Sequence, residues 1–86
     1  MDDAELRLKI KELMIRELDL SDLQPGGIDD ESALFGDGLG LDSLDALQLA
    51  IALEEEFEVS IPEGDEAKAI FASVSAIARH IQQQRA

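Results

Sequence analysis

The sequence predicts an all-α fold, a small up-and-down four-helix bundle with a long first loop and a short third helix. Three observations carry this expectation: apolar residues recur at helical spacing in separate segments, no segment alternates convincingly as a strand, and Pro and Gly cluster between the periodic stretches. A chain of 86 residues has room for one domain, residues 1–86, and its core must be small. Chains this short bury only about 60% of the surface they expose unfolded.

In the first segment Leu6, Ile10, Met14 and Leu18 recur at every fourth residue and Leu13 widens the stripe, while Arg7, Lys11 and Glu12 occupy other faces. This spacing predicts a helix over 3–19. It must end before Pro25, which cannot sit inside a helix, and Gly26-Gly27 favours a turn. From Ile28 to Asp42 the apolar residues Ile28, Leu34, Phe35, Leu39 and Leu41 persist without periodicity among Gly36, Gly38 and Gly40, which predicts a long loop pinned to the core. Loops of that length in a compact domain usually serve a function. Helix formers dominate 43–57, where Asp42 can cap the first turn and Asp45 adds a carboxylate near the same positive end. Ser60-Ile61-Pro62 ends that region, and Glu63-Gly64-Asp65 turns into a short helix over 65–71. A final helix over 73–84 has Ser73 as its cap and Val74, Ile77, Ala78 and Ile81 as its apolar stripe.

The formal net charge of −13 repels phosphate backbones and anionic membrane surfaces, so nucleic-acid binding is disfavoured. Charge is also unevenly placed: between Arg16 and Lys68 stand sixteen acids and no Lys or Arg, a block expected to meet solvent, cations or basic proteins. The chain has no Cys, so neither disulfides nor thiolate metal sites stabilise it. Its start is acidic where a secretory signal needs basic residues, and no apolar run approaches the ~20 residues of a membrane span. The expectation is a soluble, cytoplasmic monomer without membrane insertion.

No catalytic constellation assembles from one His, no Cys, no Tyr and no Trp, so the chain is expected not to be an enzyme. His80 sits beside the Ile77 and Ile81 stripe and is expected to pack rather than to act as a base. The runs Asp29-Asp30-Glu31 and Glu54-Glu55-Glu56 lack the spacing of a calcium loop, and no metal site is expected. Gly36, Gly38 and Gly40 lack both the spacing and the strand-helix frame of a nucleotide cradle.

The segment Asp42-Ser43-Leu44 is different. It stands at the head of an acidic helix with two apolar sides and resembles the acyl carrier protein family, whose modified serine lies in an Asp-Ser-Leu motif at the start of the second helix. The similarity continues through Asp45, along Ala52-Leu53-Glu54-Glu55-Glu56-Phe57, through Ile61-Pro62, and over Phe71, Ser73, Val74, Ile77, His80 and Ile81. The resemblance implies a covalent 4'-phosphopantetheine arm, taken from coenzyme A and attached to Ser43, with Asp42 and Leu44 as motif flanks. It implies a non-catalytic carrier of acyl thioesters in fatty-acid, specialised lipid or polyketide-type synthesis. Implied partners are a phosphopantetheinyl transferase, acyltransferases, ketosynthases and related enzymes with basic docking surfaces. Gln48, Gly38 and His80 depart from residues frequent in fatty-acid carriers, and the Leu34 to Leu41 run looks more like carriers of specialised pathways. The rivals are an unmodified helical adaptor with an acidic face and a peptidyl carrier.

At about 100° per residue, Ala46, Leu49, Ala50, Leu53 and Phe57 fall on one side of the second helix and Leu44, Leu47, Gln48, Ile51 and Glu55 on the other. One side suffices for the core. The other, with Leu44, Leu47, Gln48 and Ile51 among Asp45, Glu54 and Glu55, is the expected partner-docking face.

Overall fold

In the computed structural model the described residues are 2–20, 22–34, 40, 42–62 and 64–85, with Ser43 described by its backbone alone. Phe35, Gly36, Asp37, Gly38, Leu39 and Leu41 of the expected loop, and Glu63 of the expected turn, lie outside the described residues. Helix α1 spans Asp3–Glu17, and Asp2 caps it by accepting from the Glu5 N–H at 2.8 Å. It closes earlier than the periodic stripe suggests, because Asp19 adopts a left-handed conformation with φ of 53°. Aspartate visits that region more readily than bulkier residues. Pro25–Gly27 forms a single 3-10 turn with Pro in the first turn, where its missing N–H goes unneeded.

Helix α2 spans Ser43–Phe57 and ends at Glu58, again left-handed. Gly64, with φ of +80° and ψ of −145°, opens the short helix α3 at Asp65–Ile70 by a bend that a side chain would strain. Helix α4 spans Val74–Arg85. No strand occurs among the described residues.

The helices meet along their apolar stripes. Leu6, Ile10, Leu13 and Met14 of α1 pack with Leu49, Leu53 and Phe57 of α2 and with Val74, Ile77 and Ile81 of α4, all buried. Ile28 and Leu34 drop from the first loop into the same core, and Val59 and Phe71 seal it beyond α2 and α3. Side-chain bonds fix the directions. Arg7 reaches Ser75 and Asp3 accepts from Gln82, so α1 and α4 run antiparallel. Gln48 near the start of α2 donates to the Glu17 carbonyl at the end of α1, and Ser60 beyond α2 meets His80 and Gln84 of α4. The chain therefore goes up in α1, down in α2, climbs back through α3 and descends in α4. Its radius of gyration of 11.6 Å is close to the about 12 Å expected of a chain this long folded around one core.

Candidate functional site

The head of α2 is built by two aspartates. The Asp42 Oδ1 accepts from the Asp45 N–H at 3.0 Å, and the Asp45 Oδ2 accepts from the Asp42 N–H at 3.1 Å, a reciprocal capping box. The Asp42 carbonyl takes the Ala46 N–H at 3.0 Å. Ser43 is thus the first residue of the helix. Helix geometry leaves the N–H groups of Ser43 and Leu44 without an intrahelical acceptor, in the positive end of the dipole.

Downstream, α2 has an inner and an outer side. Leu49 and Leu53 are fully buried, whereas Leu44, Leu47 and Ile51 are 74%, 58% and 49% exposed, fractions too large for core positions. Among the acids expected around them, Glu55 is exposed and Asp45 serves the capping box. Glu54 is half-buried and its Oε2 accepts from the Ile61 N–H at 2.9 Å, which holds the chain where it leaves α2. Gln48 is exposed, and its Nε2 donates to the Glu17 carbonyl at 2.8 Å. Both Gln48 and Glu54 therefore have structural bonds that their place in the sequence did not reveal.

Between α2 and α3 opens a cleft of about 980 Å³. Its α2 wall is Ala46, Leu47, Ala50, Ile51 and Glu54, and its α3 wall includes Ala67 and Lys68, with Phe71 and Ala72 beyond. Alanines facing one another across two helices leave a gap that larger side chains would fill. Ala33 and Asp42 close the remaining side from the first loop, so the cleft reaches the residue that precedes Ser43. A largely apolar groove with a few polar groups at its rim suits an extended apolar ligand. Sequence periodicity assigned Ala46 and Ala50 to the core side and missed this cleft.

His80 differs from the packing role expected of it: it is half-exposed and its Nε2 lies 2.8 Å from the Ser60 carbonyl, to which it donates. Among the described residues no three His, Cys, Asp or Glu side chains gather as a metal-holding group. Nor is any described helix long and apolar enough to cross a membrane.

Compared with known proteins, residues 8–81 match the family model described as a phosphopantetheine attachment site. A protein of Campylobacter fetus subsp. fetus named acyl carrier protein is 37% identical over 73 residues, covering 85% of this chain and 87% of its own. Its namesake in Wolinella succinogenes is 40% identical over 73 residues, with coverage of 85% and 88%. A third of that name, from a Sulfurovum species, is 41% identical over 61 residues, covering 71% and 75%.

Proposed function

This chain belongs to the acyl carrier protein family, non-catalytic carriers with a phosphopantetheine attachment domain, and on that premise we propose that Ser43 bears the arm. The observation that carries the assignment is the coincidence of Asp42-Ser43-Leu44 with the capped start of α2, beside the mouth of the cleft. Asp42 and Asp45 fix the first turn, so that the Ser43 and Leu44 N–H groups stand ready for a phosphodiester anion. When bound, the arm supplies the thiol that this Cys-free chain lacks, on which an acyl group is held as a thioester. Ala46, Ala50 and Ala67 leave room for the apolar part of that cargo to withdraw from water.

We read residues 1–86 as one carrier domain acting as a cytoplasmic monomer in fatty-acid, specialised lipid or polyketide-type synthesis. Its partners on this reading are a phosphopantetheinyl transferase, acyltransferases and ketosynthases. They dock on Leu44, Leu47 and Ile51, with Asp45 and Glu55 attracting basic surfaces and Gln48 and Glu54 at the margin. Apolar residues at the centre of such a face hold a complex, and rim charges set its rate of formation.

Incubation with a phosphopantetheinyl transferase and coenzyme A tests the assignment. Intact mass should show one added arm on the wild-type protein and none on Ser43→Ala. An arm on Ser43→Ala would move the site to another hydroxyl, with Ser32, Ser60, Ser73 and Ser75 as the candidates. The mass of protein purified from its native host would identify the cargo, an aminoacyl group marking a peptidyl carrier.

A further inference from the structure

The first turn of α4 has N–H groups with no acceptor in their own helix. Ser73 Oγ takes one of them, from Ala76, at 3.1 Å. The N–H of Ser75 goes elsewhere, to the carbonyl of Asp30 on the loop between α1 and α2, at 2.9 Å. Ser75 is the buried polar residue at this junction, 3% exposed. Its hydroxyl accepts from Arg7 Nη1 at 2.6 Å and donates to Glu31 Oε2. Arg7 Nη1 also donates to Asp30 Oδ2 at 3.0 Å, and Arg7 Nε pairs with Asp3 Oδ2 at 2.8 Å. Lys11, one turn further along α1, pairs with Asp30 Oδ1.

We propose that Arg7 is a positioning residue that fastens the α1–α2 loop to the start of α4 and thereby sets the loop-side wall of the cleft. A guanidinium presents its donors in a rigid planar fork, so Nη1 can hold Asp30 and Ser75 in fixed relative directions while the charge draws in Asp3. Lys11 supplies a point charge to Asp30 alone among the described residues. The rival account is that Ile28 and Leu34, both buried, hold the loop by themselves. Apolar contacts are non-directional, however, and do not dictate where the Asp30 carbonyl points. Ala33, which lines the cleft, lies between the Asp30 junction and the Leu34 anchor, so a shift at Asp30 is passed to the wall.

Nitrogen relaxation and amide exchange on the full chain test this in Arg7→Gln, Arg7→Lys and Ser75→Ala. In wild type, residues 29–33 should show order parameters of about 0.85, falling below about 0.6 in Arg7→Gln while the long helices stay rigid. The Ser75 amide should exchange on the order of tenfold faster. Arg7→Lys, able to pair with one acid but not to span all three contacts, should fall between. The Ala33 methyl resonance should shift with the loop. Residues 29–33 equally ordered in Arg7→Gln and wild type, or already mobile in wild type, would overturn the proposal in favour of the apolar anchors. An unmoved Ala33 methyl beside a loosened loop would overturn the assignment of the wall. Should Arg7→Gln fail to fold, Ser75→Ala deletes only the bridging hydroxyl. Loss of order throughout that variant would show that no separate fastening exists, and loosening confined to 29–33 would support it.

Discussion

At Asp42 and Asp30, one carboxylate organises a helix end and the other organises a loop. Asp42 satisfies the Asp45 N–H, and removal of such a cap costs about 1 kcal/mol. Asp42→Ala should lower stability by that order in urea denaturation, whereas Asp42→Asn retains an acceptor and should be nearly neutral. If Asp42→Asn unfolds as readily as Asp42→Ala, charge rather than capping is what the position supplies. Asp30 has a different dependence, on pH. Its bond with Lys11, then that with Arg7, hold its carboxyl below the ordinary carboxylate range against the opposing effect of burial. The unfolded chain then takes up the proton more readily than the folded one. The stabilisation is complete above the ordinary value of about 3.9 and is lost as pH falls through the lower folded value. Asp30→Asn should therefore be less stable than wild type at neutral pH and approach it in strong acid. An equal difference in urea midpoint at both pH values would show that the charge of Asp30 is not what stabilises the fold.

Among the elements, α2 combines a core side, a cleft wall and an outer face, the last two sharing Leu47 and Ile51, and its neighbouring glutamates have different roles. Glu55 is exposed, and charge reversal there should slow modification by the transferase, with the deficit shrinking as salt rises and melting unchanged. Glu54 accepts the half-buried Ile61 N–H, so Glu54→Ala should instead destabilise the fold, by about 1–3 kcal/mol, the cost of an unpaired donor. Equal transferase rates for Glu55→Lys and wild type at low salt would take Glu55 off the docking face. The apolar sides of α1, α2 and α4 were legible in the sequence because each buries a stripe at helical spacing, and Leu49, Leu53 and Phe57 fall where periodicity put them. The head of α2 was legible because Asp42 and Asp45 are local neighbours whose capping needs no tertiary partner. The end of α1 was not, since it depends on a single left-handed residue, Asp19. Nor was the cleft, because a gap between alanines exists only once α2 and α3 take their places. Arg7 and Lys11 read as solvent-facing residues of α1. Their partner Asp30 lies on the long loop after α1, far along the chain, which no local spacing reveals.

Over the whole molecule the charge is −13, and the largest extent is 33 Å. The Debye length is about 30 Å at 0.01 M salt and about 10 Å at 0.1 M, so at the lower concentration nearly every acid repels every other, while at the higher only neighbours do. Attraction opposes this: Arg7 and Lys11 hold Asp30 at short range in partly buried surroundings, where salt screens least, and Arg7 also pairs with the exposed Asp3. Repulsion is thus many-bodied and screenable, and attraction is confined and resistant. Raising salt from 0.01 M towards 0.1 M and beyond should therefore raise the melting temperature. Millimolar divalent cations should do the same at far lower ionic strength, because each neutralises two charges where acids crowd. Arg7→Gln, with the short-range attractions to Asp3 and Asp30 both deleted, should start lower and gain at least as much. A melting temperature that falls with added salt would reverse the ranking and make the Arg7 and Lys11 pairs the dominant electrostatic influence on the fold. One that stays constant would mean that the acids between Glu17 and Glu66 stand too far apart for their repulsion to matter.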